Sequence, residues 1–70
     1  LPNPGHDRIR LRMDGTAPVA YRIMDVLGQQ VMQGTITPDN WLDVQALPTG
    51  AYIMDVQRGS MRSSARFVKQ

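Results

Sequence analysis

The sequence predicts an all-β fold: a small antiparallel immunoglobulin-like β-sandwich of about six to seven short strands. Two observations support this prediction. Apolar and polar residues alternate along several short segments, which is the period of half-buried strands, and turn-forming residues separate those segments at intervals of roughly eight to twelve residues. In addition, all six acidic residues are aspartates, which favour turns, and none is a glutamate, which favours helices.

The first segment is expected to be an extended linker over residues 1–7, because Pro2 and Pro4 each lack an amide donor and push the preceding residue towards extended geometry. The domain itself is expected to span residues 8–70. Its first strand is predicted over Arg8 to Met13, where three arginines alternate with three apolar residues.

The second strand is predicted where Val19, Tyr21 and Ile23 share one face. Leu27 and Gly28 then reverse the chain. A third strand is predicted over Gln29 to Ile36, and it ends at the turn-forming residues 37–40.

A short fourth strand is predicted over Trp41 to Val44, with the single tryptophan expected in the core. The strongest strand pattern covers Ala51 to Gln57, with Tyr52, Met54 and Val56 on one face. The last strand is predicted over Met61 to Lys69 and has Met61, Ala65 and Phe67 on one face and Arg62, Ser64 and Arg66 on the other.

Four residues are expected to shape turns rather than to do chemistry. Gly28 can adopt the positive φ of a tight reversal, while the Asp25 carboxylate can accept hydrogen bonds from nearby amides. Pro48 fixes φ in a turn over Leu47 to Gly50, and Gly50 is free to take a left-handed conformation. The Tyr52 hydroxyl, which follows, should reach water or a loop carbonyl.

Composition excludes several classes of function. The 70 residues suffice for one domain with a thin core, since a chain this size buries only about 60% of its unfolded surface. There is no cysteine for a disulfide or thiolate metal site, and the single histidine, His6, is expected to be solvated. A net charge of +2 without a basic cluster among aromatic residues argues against nucleic-acid binding. No catalytic group, metal site or cofactor is expected, and no apolar run reaches the length of a membrane helix.

Four short sequence motifs follow one another along the chain. The sequence opens with P-N-P at residues 2–4, continues with Y-R-I-M-D-V-L-G-Q-Q-V at 21–31 and L-D-V-Q-A-L-P-T-G-A-Y at 42–52, and finishes with R-F-V-K-Q at 66–70. Each motif alone is unspecific, but the ordered set resembles the type A C-terminal sorting domain of type IX secretion cargo from Bacteroidota. The resemblance covers essentially the whole chain.

The resemblance implies a sorting signal that directs an N-terminal passenger across the outer membrane. The implied partners are the type IX translocon and its outer-membrane shuttle and sortase components. The passenger would travel through the periplasm to the cell surface or the medium, and a sortase-like peptidase would then remove the domain. Carried over to this chain, the residues that the translocon recognises would be Gly50, Tyr52, Arg66, Phe67, Val68 and Lys69.

Alternatives remain at this point. The chain is also compatible with an immunoglobulin-like accessory module, a spacer or carbohydrate-binding domain beside a secreted enzyme; a small hydrolase is disfavoured because the catalytic groups are missing. L-P-T-G at 47–50 is interpreted as a turn rather than a transpeptidation signal, since the apolar tail of such signals does not follow.

The arginines at 8, 10 and 12 are interpreted as a polar sheet face. If the first and last strands paired, however, these arginines would join Arg62 and Arg66 in one basic surface. An exposed last strand could accept a partner strand, or a strand-exchanged homodimer could form in the isolated domain.

Overall fold

The computed structural model describes residues 8–70, which form six strands and no helix. The predicted linker over residues 1–7, together with His6 and the P-N-P motif, lies outside the described residues. The strands are β1 (Arg8–Arg10), β2 (Val19–Met24), β3 (Gln30–Ile36), β4 (Trp41–Asp43), β5 (Gly50–Arg58) and β6 (Met61–Lys69). The all-β prediction is confirmed.

The strands form two antiparallel sheets. A four-stranded sheet has the order β3-β2-β5-β6, and a two-stranded sheet pairs β1 with β4. The hairpins β2–β3 and β5–β6 are joined through the central pair β2 and β5, so that β3 and β6 form the two edges of the larger sheet.

The core lies on one face of the four-stranded sheet, as strict alternation along its two central strands requires. In β2 and β5 the inward side chains are almost fully buried, while their neighbours in sequence are more exposed. The core cluster consists of Val19, Tyr21, Ile23, Ile36, Val44, Leu47, Tyr52, Met54 and Val56. The predicted inward faces of the second and fifth strands are confirmed.

The two-stranded sheet closes the core from the other side. Ile9 and Leu42 pair across β1 and β4, and both pack against the core cluster. The predicted first strand ends early, at Arg10, because Arg10 pairs with Trp41, the first residue of β4; Asp39, two residues before Trp41, has a positive φ of 68°. Leu11 remains attached through two backbone hydrogen bonds to residues 39 and 40 and still contacts the core.

One expectation about β4 is wrong, and the strand pairing that a joint basic surface would have required is absent from the described residues. The first strand pairs with β4 rather than with the last strand, so the condition for one continuous basic surface is not met. Trp41 is 54% exposed instead of buried, because its register opposite Arg10 places it on the outer face, while Leu42 turns inward. The guanidinium carbons of Arg8 and Arg10 lie 5.1 and 5.5 Å from the centroid of the Trp41 ring. These cation–π contacts allow the indole to remain at the surface.

Candidate recognition surface

Three segments singled out in the sequence meet at one end of the four-stranded sheet. Met24, the last residue of β2, pairs with Ile53 near the start of β5, and Ile53 in turn pairs with Arg66 near the end of β6. The turn after β2 therefore lies at the same end of the sheet as the start of β5 and the end of β6. We call this end the motif end and define it as residues Asp25–Gly28, Gly50–Tyr52 and Arg66–Lys69.

The β2–β3 turn is held by hydrogen bonds on both sides of Asp25. Its Oδ1 accepts the amides of Leu27 and Gln29 at 2.9 and 3.0 Å, while its backbone carbonyl accepts the amide of Gly28 at 3.0 Å. The Asp25 amide donates to the Gln29 carbonyl at 2.9 Å. Gly28 has a φ of +84°, a conformation that favours glycine. Asp25 and Gly28 thus fix the shape of the turn.

The tip of this turn presents two apolar side chains to solvent. Val26 is 75% exposed and Leu27 is 80% exposed, the highest values among the exposed large hydrophobic residues that the structure describes. Sequence reasoning missed this feature. The available signal was the pair of consecutive aliphatic residues between a turn aspartate and a turn glycine, positions that are usually polar.

The segment before β5 differs from the expected turn over Leu47 to Gly50. The hydrogen-bonded turn lies three residues earlier, where the Leu47 amide donates to the Val44 carbonyl at 3.0 Å. The Asp43 carboxylate stabilises this earlier turn by accepting the Gln45 amide at 2.9 Å. Pro48 follows this turn, and no backbone hydrogen bond from Gly50 to Leu47 closes a second one.

Tyr52 ties the start of β5 back to this segment. Its hydroxyl donates to the Pro48 carbonyl at 2.5 Å, so the predicted loop-carbonyl contact is present. A similar tyrosine-to-upstream-backbone bond marks a corner of immunoglobulin-type sandwiches. Between them, Gly50 opens β5 with a φ of +155°, which an L side chain rarely adopts. The bond and the glycine together set the angle at which β5 enters the sheet.

The end of β6 divides its side chains between the two faces of the sheet. Phe67 pairs with Tyr52 on the core side, where the rings stack with centroids 5.5 Å apart and planes 24° apart. Lys69, opposite Gly50, is only 8% exposed. Arg66 and Val68 point to the outer face and are exposed. A partner on the outer face therefore meets Arg66 and Val68, while Phe67 and Tyr52 hold the strand in place.

The outer face of the four-stranded sheet is apolar near the motif end and polar farther along. Near the motif end it carries Ile53 and Val68, which are 42% and 49% exposed. Farther along, Asp55 accepts a hydrogen bond from the Ser64 hydroxyl and lies 3.6 Å from the Arg22 guanidinium, between the nearest oxygen and nitrogen. The apolar part of the face is thus confined to the motif end.

The rest of the described surface gathers no reactive groups. A shallow, open depression of about 530 Å³ is lined by both polar and apolar residues, among them Arg22, Asp55, Val56 and Arg62. Within residues 8–70, no three His, Asp or Glu side chains lie close enough together to hold a metal ion. The same residues contain no helix that is long and apolar enough to cross a membrane.

Comparison with known proteins gives one match. A family model described as a secretion system C-terminal sorting domain matches residues 1–70, the whole of the sequence. No curated protein and no solved structure matches the chain.

Proposed function

Because the chain belongs to the secretion system C-terminal sorting domain family, the sorting signal of type IX secretion, we propose that the type IX translocon recognises it at the motif end. The family assigns the chain to export towards the outer membrane or cell surface. The proposal adds the location of the recognised residues on this domain. They are Gly50, Tyr52, Arg66, Phe67, Val68 and Lys69.

The observation that supports this location is the convergence of the motif segments at one end of the sheet. Residues 25–28, 50–52 and 66–69 are far apart in sequence, but strand pairing places all three at that end. A partner that binds this end can contact exposed side chains of the first and last segments together, while Gly50 and the buried Tyr52 shape β5 between them.

Some of these residues position the strands, and others are exposed to a partner. Tyr52 and Phe67 stack on the core side and fix the end of β6, and Gly50 sets the entry of β5. Arg66 offers a charged group and Val68 an apolar group to the partner. The outer edge of β6 has no strand neighbour within residues 8–70, so its backbone can also accept a strand from the partner.

The later steps belong to the same proposal. An N-terminal passenger would travel with the domain through the periplasm and be delivered by outer-membrane shuttle components. A sortase-like peptidase would then remove the domain. The structure of residues 8–70 is compatible with such removal, since β1 sits in the smaller sheet and the motif end is built from other strands.

The test is an export assay with a fluorescent passenger fused in front of residues 1–70, in a bacterium with an intact type IX system. We expect fluorescence outside the outer membrane, and none from the same fusion in a strain without the translocon. A second fusion ends at residue 65. We expect it to remain inside because it lacks Arg66 to Lys69.

Retention of the intact fusion in the periplasm would contradict export and favour an accessory module. Unchanged export of the shortened fusion would place the recognised residues elsewhere. Because the shortening also removes the Phe67 ring from Tyr52, circular dichroism of the shortened domain must accompany the assay.

A further inference from the structure

We infer that the tip of the β2–β3 turn, Val26 and Leu27, is a second docking element that inserts into an apolar groove on a protein component of the export machinery. This inference rests on the proposed function and extends it to the turn between β2 and β3, which lies at the same end of the sheet as the end of β6 but towards the opposite edge. The two side chains are 75% and 80% exposed, although nothing in a turn requires aliphatic residues at these positions.

The tip is rigid enough to serve as an anchor. Asp25 accepts three amide hydrogen bonds, two on its carboxylate and one on its carbonyl, and Gly28 takes the positive φ that the turn needs. Val26 and Leu27 are held between these two residues. Because the backbone beneath these side chains is already fixed, docking does not have to order the turn, which lowers the entropic cost of binding.

The turn and β3 carry no basic side chain, and the basic residues of the motif end, Arg66 and Lys69, lie on β6, at the other edge of the sheet from β3. The charge at the tip therefore favours a protein groove over a lipid surface. From residue 25 to residue 36 the sequence contains no lysine or arginine, and its one charged side chain is Asp25. Segments that insert into anionic membranes normally surround their apolar residues with basic ones. The nearest polar residues here are Gln29 and Gln30, which suit the hydrogen-bonding rim of a protein interface.

Other exposed apolar side chains lie at the same end of the sheet as the tip. Val31, the extra residue where the β2–β3 register shifts, is 40% exposed. Ile53 and Val68 lie on the outer face at the same end of the sheet. A single partner that binds the end of β6 is therefore well placed to receive the turn as well.

The experiment compares two variants of the passenger fusion in the export assay. Val26→Ser with Leu27→Ser removes the apolar tip, and both side chains are so exposed that the domain should keep its melting temperature. Met61→Ser is the matched control, because Met61 is 71% exposed but lies beside the β5–β6 turn at the opposite end of the sheet. We expect the tip variant to lose export by roughly tenfold, as for the loss of one good apolar contact, and the control to match the unmodified fusion.

Three results would overturn the inference. The first is normal export of the tip variant; if the fusion ending at residue 65 is still retained, the proposed function stands without the second element. The second is an equal loss for Met61→Ser, which would show a general effect of apolar surface. The third is a result that points to another binding partner. The unmodified fusion would bind phosphatidylethanolamine–phosphatidylglycerol vesicles, or would be a dimer when measured by light scattering, and the tip variant would lose that binding or dimerisation. Retention of the tip variant together with export of the shortened fusion would support the turn and contradict the role of β6.

Discussion

β5 and β6 are the same length and pair along all nine residues, yet only one of them is part of the core. In β5 the inward residues Tyr52, Met54 and Val56 are 4–5% exposed. In β6 Phe67 is half-buried, and Lys69 is the sole buried residue. The difference arises because β5 lies between β2 and β6, whereas β6 is an edge strand. β5 stabilises the fold, and β6 leaves most of its side chains available to a partner.

The inward-facing side chains of β6 add little apolar surface to the core. Ser63 faces the core opposite Val56, and Ala65 faces it opposite Met54. Both are small and bury little apolar surface. Phe67 is the exception, and it contacts the core at the motif end. The strand is thus anchored most firmly where the proposed recognition takes place.

The largest expected effect is on the free energy of unfolding, and it is measured by making the same substitution, Met→Ala, in β5 and in β6. Met54→Ala in β5 should lower the free energy of unfolding by about 2–5 kcal/mol, since Met54 is 4% exposed and the cavity cannot refill easily. Met61→Ala in β6 should change it by less than about 0.5 kcal/mol, since Met61 is 71% exposed. Urea denaturation of the two variants measures both values. Equal losses would mean that β6 contributes to the core as much as β5 does.

A smaller effect sharpens the role of Tyr52, which belongs to the core and to the motif end. Tyr52→Phe keeps the stacked ring but removes the hydroxyl that donates to the Pro48 carbonyl. The free energy of unfolding should fall by about 0.5–1.5 kcal/mol, the usual net value of such a bond. Thermal denaturation followed by circular dichroism measures the change. An unchanged melting temperature would show that the hydroxyl does not hold the entry of β5.

The strands were largely predictable because alternation and turn residues are local signals. Val19, Tyr21 and Ile23 alternate with polar or small neighbours, and β6 has the predicted bounds, Met61 to Lys69. Alternation does not specify which strands pair. The sequence therefore could not show that β1 joins β4, and the position of Trp41 was predicted wrongly for the same reason.

The motif end could be predicted only in part. Asp25 and Gly28 were recognisable as turn residues because their conformational preferences are intrinsic. Gly50 has a positive φ but begins β5 instead of closing a turn. The meeting of three distant segments depends on the pairing of β2 with β5, which is a tertiary property. The exposure of Val26 and Leu27 was not anticipated, because aliphatic residues beside a strand are normally expected to be buried.

The central claim is that the machinery recognises the end of β6 rather than its start, and the most direct measurement compares Arg66→Gln with Arg62→Gln. Both arginines are exposed on the same outer face of the same strand, opposite Ile53 and Gln57 respectively. Each substitution should leave the free energy of unfolding within about 0.5 kcal/mol of the unmodified value. In the export assay, we predict that Arg66→Gln reduces the exported passenger several-fold and that Arg62→Gln does not change it. Equal export of the two variants would contradict the claim.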